Sequence, residues 1–532
     1  MKLKKWSSLL FTLILALSIG IAPAQAAGFT NPNVGSVAGA WSKGTDPATI
    51  NPYNPVILFV HGLNGSASTW YQDNDMYQYA YNNGYQTAFI NLHDITGTSQ
   101  NMWSNGELLA AKIKEISNHF GKKLVIVAHS KGGIDTQTAL VHYNAYPYVS
   151  NVITLGSPHN GSQLADLAYS SWASWLSTLI GYQNPGTYSM QTSYMQYFRS
   201  VTNNHANVGK NKFFTFAGND YESGSIAQLF GGLFLSNYGD NDGVVTVSSA
   251  HLPNGRMVKI GKWNHTSVKT GANMFALIKP YLVLQSAKSS YRFDEVAAGK
   301  EQSVQTLAPR REQQNQTFIR GGQFGGAASE AFTVENNVAS VTIDWIGNKK
   351  LDSLDIIGPD GASQNVSVSS IADDGVLNGA WHHTATIARP AVGEWTASAA
   401  SNGSSAYLLT ISYDTNGKRA AKLNKVRDNK KLKLDVDGLK DEKTTVRYKV
   451  DFVNGKNDKS GNYQRKQNQS KRVKQQESLS ATDELVIPAS EGSGVYTVTA
   501  EVEGETDEGF KYRRTIVKSV YIDENGNTYS SS

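Results

Sequence analysis

The stretch Leu124-Val-Ile-Val-Ala-His-Ser-Lys-Gly-Gly133 constrains the fold of this chain more than any other. Leu124 to Ala128 is an unbroken apolar run, as expected of a central strand covered on both faces. Ser130 follows at the apex of a turn, and Gly132-Gly133 lead into Ile134 to Tyr143, which reads as a helix. A strand that turns sharply into a helix through a serine needs small residues two before and two after it, because backbone and neighbouring strands come close there. Ala128 and Gly132 fill those positions. The turn lifts the hydroxyl clear of the sheet and sets it at the positive end of a helix.

The surrounding sequence supplies the sheet that such a turn needs. Val56 to Val60, Thr87 to Asn91, Lys123 to Ala128, Val149 to Leu155 and Phe213 to Phe216 read as short buried strands. Between them lie helical patterns such as Gly106 to Phe120, where Leu108, Leu109, Ile113, Ile116 and Phe120 form an apolar stripe. Alternation of this kind predicts an α/β fold, a doubly wound and mostly parallel sheet.

At 532 residues the chain is too long for one core. Lys2, Lys4 and Lys5 precede the apolar run Leu9 to Ala22, and Ala24-Gln25-Ala26 follows, the pattern of a cleaved export signal. The run has fourteen residues, short of the roughly 20 that span a bilayer. Residues 1–26 are therefore expected to be a signal peptide, the mature chain to be secreted, and no later segment to cross a membrane. Without those three lysines the 49 basic residues exceed the 44 acidic ones by only two, so nothing points to a nucleic-acid partner. There is no cysteine, which excludes thiolate catalysis and Cys-ligated metals. The α/β domain is placed at 27–286, with a lid-like insertion at about 161–212. Residues 288–316 read as a polar linker or edge segment. Two all-β, sandwich-like modules follow, at 287–415 and 416–532, the second Ig-like. Ser340–Trp345, Leu354–Ile357, Trp395–Ser398 and Tyr407–Ile411 are strands of the first; Thr444–Val450, Gly494–Val502 and Thr515–Ile522 belong to the second. Lys456 to Gln476, rich in Lys, Arg, Gln and Asn, reads as a loop.

A serine hydroxyl needs a base to take its proton, and the base needs an acid to orient it. In this type of fold they follow the serine in the order acid, then histidine. His142, His159, His205, His251 and His265 follow Ser130 within the domain. His265 lies between a strand at Val258–Ile260 and a helix at Val268–Leu284, where a base is expected; His251 is the alternative. Asp242, in Asn241-Asp242-Gly243-Val244-Val245, is the candidate acid, with Asp220 and Asp240 as alternatives; Asp242 building only an Asx turn is the plain structural reading. Two backbone N–H groups should receive the developing oxyanion. Lys131 supplies one, and Leu63, in His61-Gly62-Leu63-Asn64-Gly65 after an early strand, the other. His61 reads as a structural brace, and His129 as pointing away from the site.

The set HGLNG, AHSKGG, GSPHNGS (156–162), NDGVV and KWNH (262–265) resembles secreted bacterial triacylglycerol lipases, over about Pro52 to Leu284. The resemblance implies the α/β-hydrolase fold, Ser130 as nucleophile, Asp242 as acid, His265 as base and oxyanion donors at Leu63 and Lys131. Many such lipases hold a structural calcium through an aspartate just after the catalytic histidine. Here Thr266-Ser267-Val268 offers no carboxylate, so no metal and no cofactor are expected. The insertion carries Leu164, Leu167, Ala168, Trp172, Trp175, Leu176, Leu179 and Ile180 at helical spacing, then Tyr188, Tyr194, Tyr197 and Phe198. A lid over an acyl cleft with transient lipid contact would look like this, and so would a cap helix packed on its domain. The expected activity is ester hydrolysis, on acylglycerols by family likeness. The alternatives are a non-lipolytic esterase or amidase, and a surface-binding protein working through its β-modules.

Overall fold

In the computed structural model the described residues are 29–96, 99–284, 316–373, 377, 379–415, 420–426, 430–454 and 470–531. The expected signal peptide and most of the 288–316 segment lie outside them. Seven strands form the first sheet: β1 (Trp41–Lys43), β2 (Val56–Val60), β3 (Thr87–Ile90), β4 (Leu124–His129), β5 (Val149–Leu155), β6 (Lys212–Gly218) and β7 (Arg256–Gly261). Their spatial order is β1-β3-β2-β4-β5-β6-β7. Only β1 runs antiparallel, pairing Trp41 with Ile90; the other neighbours are parallel.

The apolar runs become strands because both faces of the sheet are covered. Along β2 and β4, Ile57, Phe59, Val125 and Val127 join a core with Trp70, Tyr77 and Phe275. The intervening Val56, Leu58, Val60, Leu124, Ile126 and Ala128 pack on the other face against Leu109, Ile113 and Leu140, the two-residue alternation of a pleated strand. The helices are α1 (Met76–Asn82), α2 (Met102–Phe120), α3 (Lys131–Val141), α4 (Gln163–Ala168), α5 (Ser174–Leu179), α6 (Pro185–Ser189), α7 (Thr192–Thr202), α8 (Ile226–Leu235), α9 (Val247–Ala250) and α10 (Gly271–Ile278). Asn101 caps α2 by accepting from the Ser104 N–H at 2.9 Å, and Gly121 ends it in the left-handed conformation (φ 62°). The expected helix at 268–284 is shorter, Gly271–Ile278, flanked by 3-10 turns. No helix among the described residues is long and apolar enough to cross a membrane.

Antiparallel β-structure follows. In the first module Thr317–Val334 and Gly393–Thr415 pair antiparallel along their length, with a register shift between Ser401 and Ser404. On its other edge the two ends of Gly393–Thr415 pair with different strands, Ser353–Ile357 and Val338–Gly347, around a core of Trp345, Tyr407, Phe332 and Trp395. In the second module a three-stranded and a five-stranded sheet enclose Leu432, Leu434, Tyr448, Val498 and Tyr512. Lys471–Ser480 is an edge strand there, so the loop expected at 456–476 does not extend over 471–476. Residues 455–469 lie outside those described.

Both modules pack on the segment between β5 and β6 and on α8. Leu164, Leu167, Leu176, Phe230 and Phe234 share a core with Ile319, Ile346, Leu408 and Val517. Tyr188, Tyr194 and Met195 share another with Val453, Val495 and Tyr521. Trp172 is held between the Lys449 ammonium, 3.7 Å from its ring centre, and the Arg320 guanidinium at 5.0 Å. The apolar stripe of the insertion is thus a docking face for the modules, although Trp175 stays exposed.

Candidate active site

Ser130 sits between β4 and α3 with φ 52° and ψ −133°, a region where non-glycine residues are strained and which marks a nucleophile turn. Its N–H is tied to the Leu155 carbonyl at 3.0 Å, and its side chain is nearly buried. Neighbouring backbone presses directly on this turn. A Cβ at Gly132 would lie 2.3 Å from the His61 carbonyl oxygen, and one at Gly62 would lie 2.7 Å from the Ser130 Cβ. The glycines therefore let the β2 loop, with Leu63, close onto the start of α3, with Lys131.

Asp242 and His265 are brought together. Asp242 Oδ2 lies 2.8 Å from His265 Nδ1, and its carbonyl accepts the His265 N–H at 2.8 Å. Its Oδ1 accepts from the N–H groups of Val244 and Val245 at 3.0 and 2.8 Å. The Asx turn and the contact with histidine coexist, one oxygen for each. Asp220 and Asp240 instead use backbone groups, the Asp220 N–H donating to Trp263 O and Asp240 O accepting from Val247. His251 is largely exposed and accepts from Asn160 through its carbonyl.

His61 braces the β2 loop. The Leu92 N–H donates to its Nε2 at 3.0 Å, which leaves the Nδ1 proton for Gly62 O at 2.9 Å. Burial holds its ionisation below the usual histidine range. His129 does not point away as expected. Its Nε2 contacts His265 O at 2.9 Å, with the two rings 4.6 Å apart. Burial, then the neighbouring His265, keep His129 neutral by pushing its ionisation well down. A histidine beside the serine looks the same in sequence whether it faces outward or supports the base.

The stretch after His265 is committed to the protein itself. Thr266 accepts from Gln228 Nε2 at 2.8 Å, and Ser267 bonds Asn264. With no carboxylate and both hydroxyls engaged, it does not fit a cation ligand.

Residues 55–241 match the palmitoyl protein thioesterase family. Among solved structures, the chain is similar to Bacillus licheniformis lipase BlEst2 in its propeptide form, at 34% identity over 93% of this chain and 100% of that one, with a TM-score of 0.74. The chain belongs to this lipase's family of α/β-hydrolases. The mature form of the same lipase is 48% identical over 47% of this chain and all of its own, with a TM-score of 0.44. As a member of that family the protein is a carboxylic ester hydrolase, with β-rich accessory modules after the catalytic sheet.

Proposed function

We propose that the protein is a secreted lipase that hydrolyses acylglycerols through Ser130, His265 and Asp242 and an acyl-enzyme. The observation that carries this reading is the 2.8 Å Asp242–His265 contact in the same domain as a serine held at a strained strand–helix turn. Asp242 keeps the proton on Nδ1 of His265 and stabilises the imidazolium. His265 Nε2 takes the Ser130 proton as Oγ attacks the ester carbonyl carbon. The N–H groups of Leu63 and Lys131 receive the oxyanion. Collapse expels the alcohol, which takes its proton from His265, and water repeats the cycle to release the acid.

Two further parts of the reading rest on the relative and on docking. The similar lipase has a propeptide form, and in this chain the β-modules cover the apolar insertion. We infer that the modules are the part removed on maturation, leaving the insertion to meet lipid. The N-terminal export pattern supports secretion.

The test is labelling with a fluorophosphonate before and after limited proteolysis, with Ser130→Ala as control. A Ser130-dependent adduct is expected, with faster labelling and turnover of emulsified long-chain esters once the modules are released. No adduct refutes the nucleophile. An adduct with activity confined to soluble short-chain esters makes the enzyme a non-lipolytic esterase. Full activity in the Ser130→Ala protein would transfer the function to the modules.

A further inference from the structure

Lys131 carries more than the N–H assigned to the oxyanion. Its side chain is 1% exposed and turns back into the domain, where Nζ lies 3.0 and 2.9 Å from the two carboxylate oxygens of Asp135 and 3.7 Å from Asp94 Oδ2. Asn105, fully buried on α2, donates to Asp94 Oδ2 at 2.6 Å and to Asp135 Oδ2 at 3.0 Å. Its oxygen accepts the His93 N–H at 3.3 Å. The cluster thus gathers the nucleophile turn, α2 and the segment after β3 around one buried ammonium. Two carboxylates face one lysine, and burial, opposed by Lys131, lifts Asp135 to about 7.

The other oxyanion arm is tied to the same segment. Leu92, two residues before Asp94, donates its N–H to His61, and His61 leads directly into Gly62 and Leu63. The His61 carbonyl oxygen lies 2.3 Å from where a Cβ on Gly132 would sit. Burying an ammonium and two carboxylates is costly for stability alone, and an apolar cluster of equal volume would commonly do as well. Its placement behind both donors gives it another use.

We propose that the buried Lys131–Asp94–Asp135–Asn105 cluster is a positioning device that fixes the spacing between the Leu63 and Lys131 N–H groups of the oxyanion hole. These are positioning residues, acting through the backbone, and the inference rests on the Ser130 reading above.

The experiment uses the full chain and its proteolysed form, with Lys131→Met, Lys131→Arg and Asn105→Ala. Each variant is measured for kcat and KM on a soluble p-nitrophenyl ester, for affinity toward an alkyl trifluoromethyl ketone, and for melting temperature. The ketone forms a tetrahedral adduct with the serine and so reports the oxyanion hole. Lys131→Met is expected to lose tenfold or more in kcat and a similar factor in ketone affinity, with KM within about threefold. Lys131→Arg should recover part of both. Asn105→Ala keeps Lys131, Asp94 and Asp135 themselves and carries the same test should the methionine variant not fold. The proposal is overturned if folded variants keep kcat within threefold, or if kcat falls while ketone affinity does not. Failure of a fluorophosphonate to label Ser130 in the unmutated protein would overturn the nucleophile reading instead, which separates the two.

Discussion

Asp242→Asn changes one atom and isolates the role of the acid. In the native protein Oδ1 accepts two backbone N–H groups while Oδ2 faces His265 Nδ1 at 2.8 Å. The asparagine oxygen must stay on Val244 and Val245, since flipping the amide would leave two buried N–H groups unpaired at about 1–3 kcal/mol each. Its NH2 then points at Nδ1, which must become an acceptor. The imidazole proton moves to Nε2, and the base can no longer accept from Ser130. Loss of the tautomer and of imidazolium stabilisation costs on the order of 10⁴ in kcat where this arrangement operates, about 5 kcal/mol of barrier. Hydrolysis of p-nitrophenyl butyrate at neutral pH should show a loss of roughly 10³–10⁴ in kcat with KM little changed. The melting temperature should hold, because both turn hydrogen bonds survive. Asp220→Asn and Asp240→Asn, made in parallel, should stay within about threefold of the native rate. An Asp242→Asn enzyme that keeps a tenth of native kcat would refute the assignment, as would a larger loss at Asp220.

Gly132→Ala should cost about 1–3 kcal/mol of stability and lower kcat more than KM, since the new methyl meets the His61 carbonyl at 2.3 Å; unchanged melting and turnover would contradict that contact. Trp172→Ala removes the ring held by Lys449 and Arg320, at about 0.5–2 kcal/mol per cation–π contact plus lost packing. Limited trypsin digestion should separate hydrolase and modules at least tenfold faster, and an unchanged rate would show that docking does not depend on this residue. His382 is raised to about 10: burial opposes the charge, but Asp344 at 2.7 Å and Asp373 at 3.4 Å outweigh it. A raised value means its stabilisation is complete below the ordinary histidine range near 6.5 and is lost as pH rises through about 10. Melting of the native protein should fall over that window more steeply than melting of His382→Gln, and parallel curves would sink the ion-pair account.

What the sequence revealed follows from how local each signal is. Val56–Val60 and Leu124–Ala128 are legible because both faces of each strand are buried, so the run itself is apolar. Trp41–Lys43 is too short to stand out and is held by its antiparallel pairing with β3. Thr317–Val334 is rich in glycine and alanine, and it becomes a strand through pairing along its length with Gly393–Thr415. The start of Lys471–Ser480, as far as Gln476, reads as loop because charged and polar residues suit an edge strand. At the site, the order of motifs pointed to Ser130 and His265, while the choice among Asp220, Asp240 and Asp242 needed a distance. The Lys131 cluster joins three separated segments, and only the four-residue spacing of Lys131 and Asp135 on α3 hinted at it.

The centre is shaped by missing side chains as much as by present ones. Besides Gly62 and Gly132, a Cβ at Gly133 would lie 2.2 Å from Ser157 Oγ, and one at Gly218 would lie 2.1 Å from Trp263 O and 2.9 Å from Asp242 Cβ. Gly156 has φ 59°, and a Cβ there would sit 3.0 Å from Asp242 Oδ2 and 3.3 Å from His265 Nδ1. These glycines lie at the ends of β5 and β6 or beside the elbow, where strands deliver loops to one edge of the sheet. At Gly132 and Gly218 the atom met is a backbone carbonyl oxygen, which has no rotamer through which to relax, and at Gly156 it belongs to the acid and the base themselves. A one-carbon addition at Gly156 must displace either the acid or the base, whereas trimming a core residue such as Ile126 leaves a cavity far from both. Damage to turnover should therefore track closeness to the acid, the base and the elbow, while damage to stability should track burial. Gly156→Ala and Ile126→Val separate the two, the first losing kcat out of proportion to melting temperature and the second the reverse. Equal ratios of the two losses would mean that the glycines are ordinary packing residues.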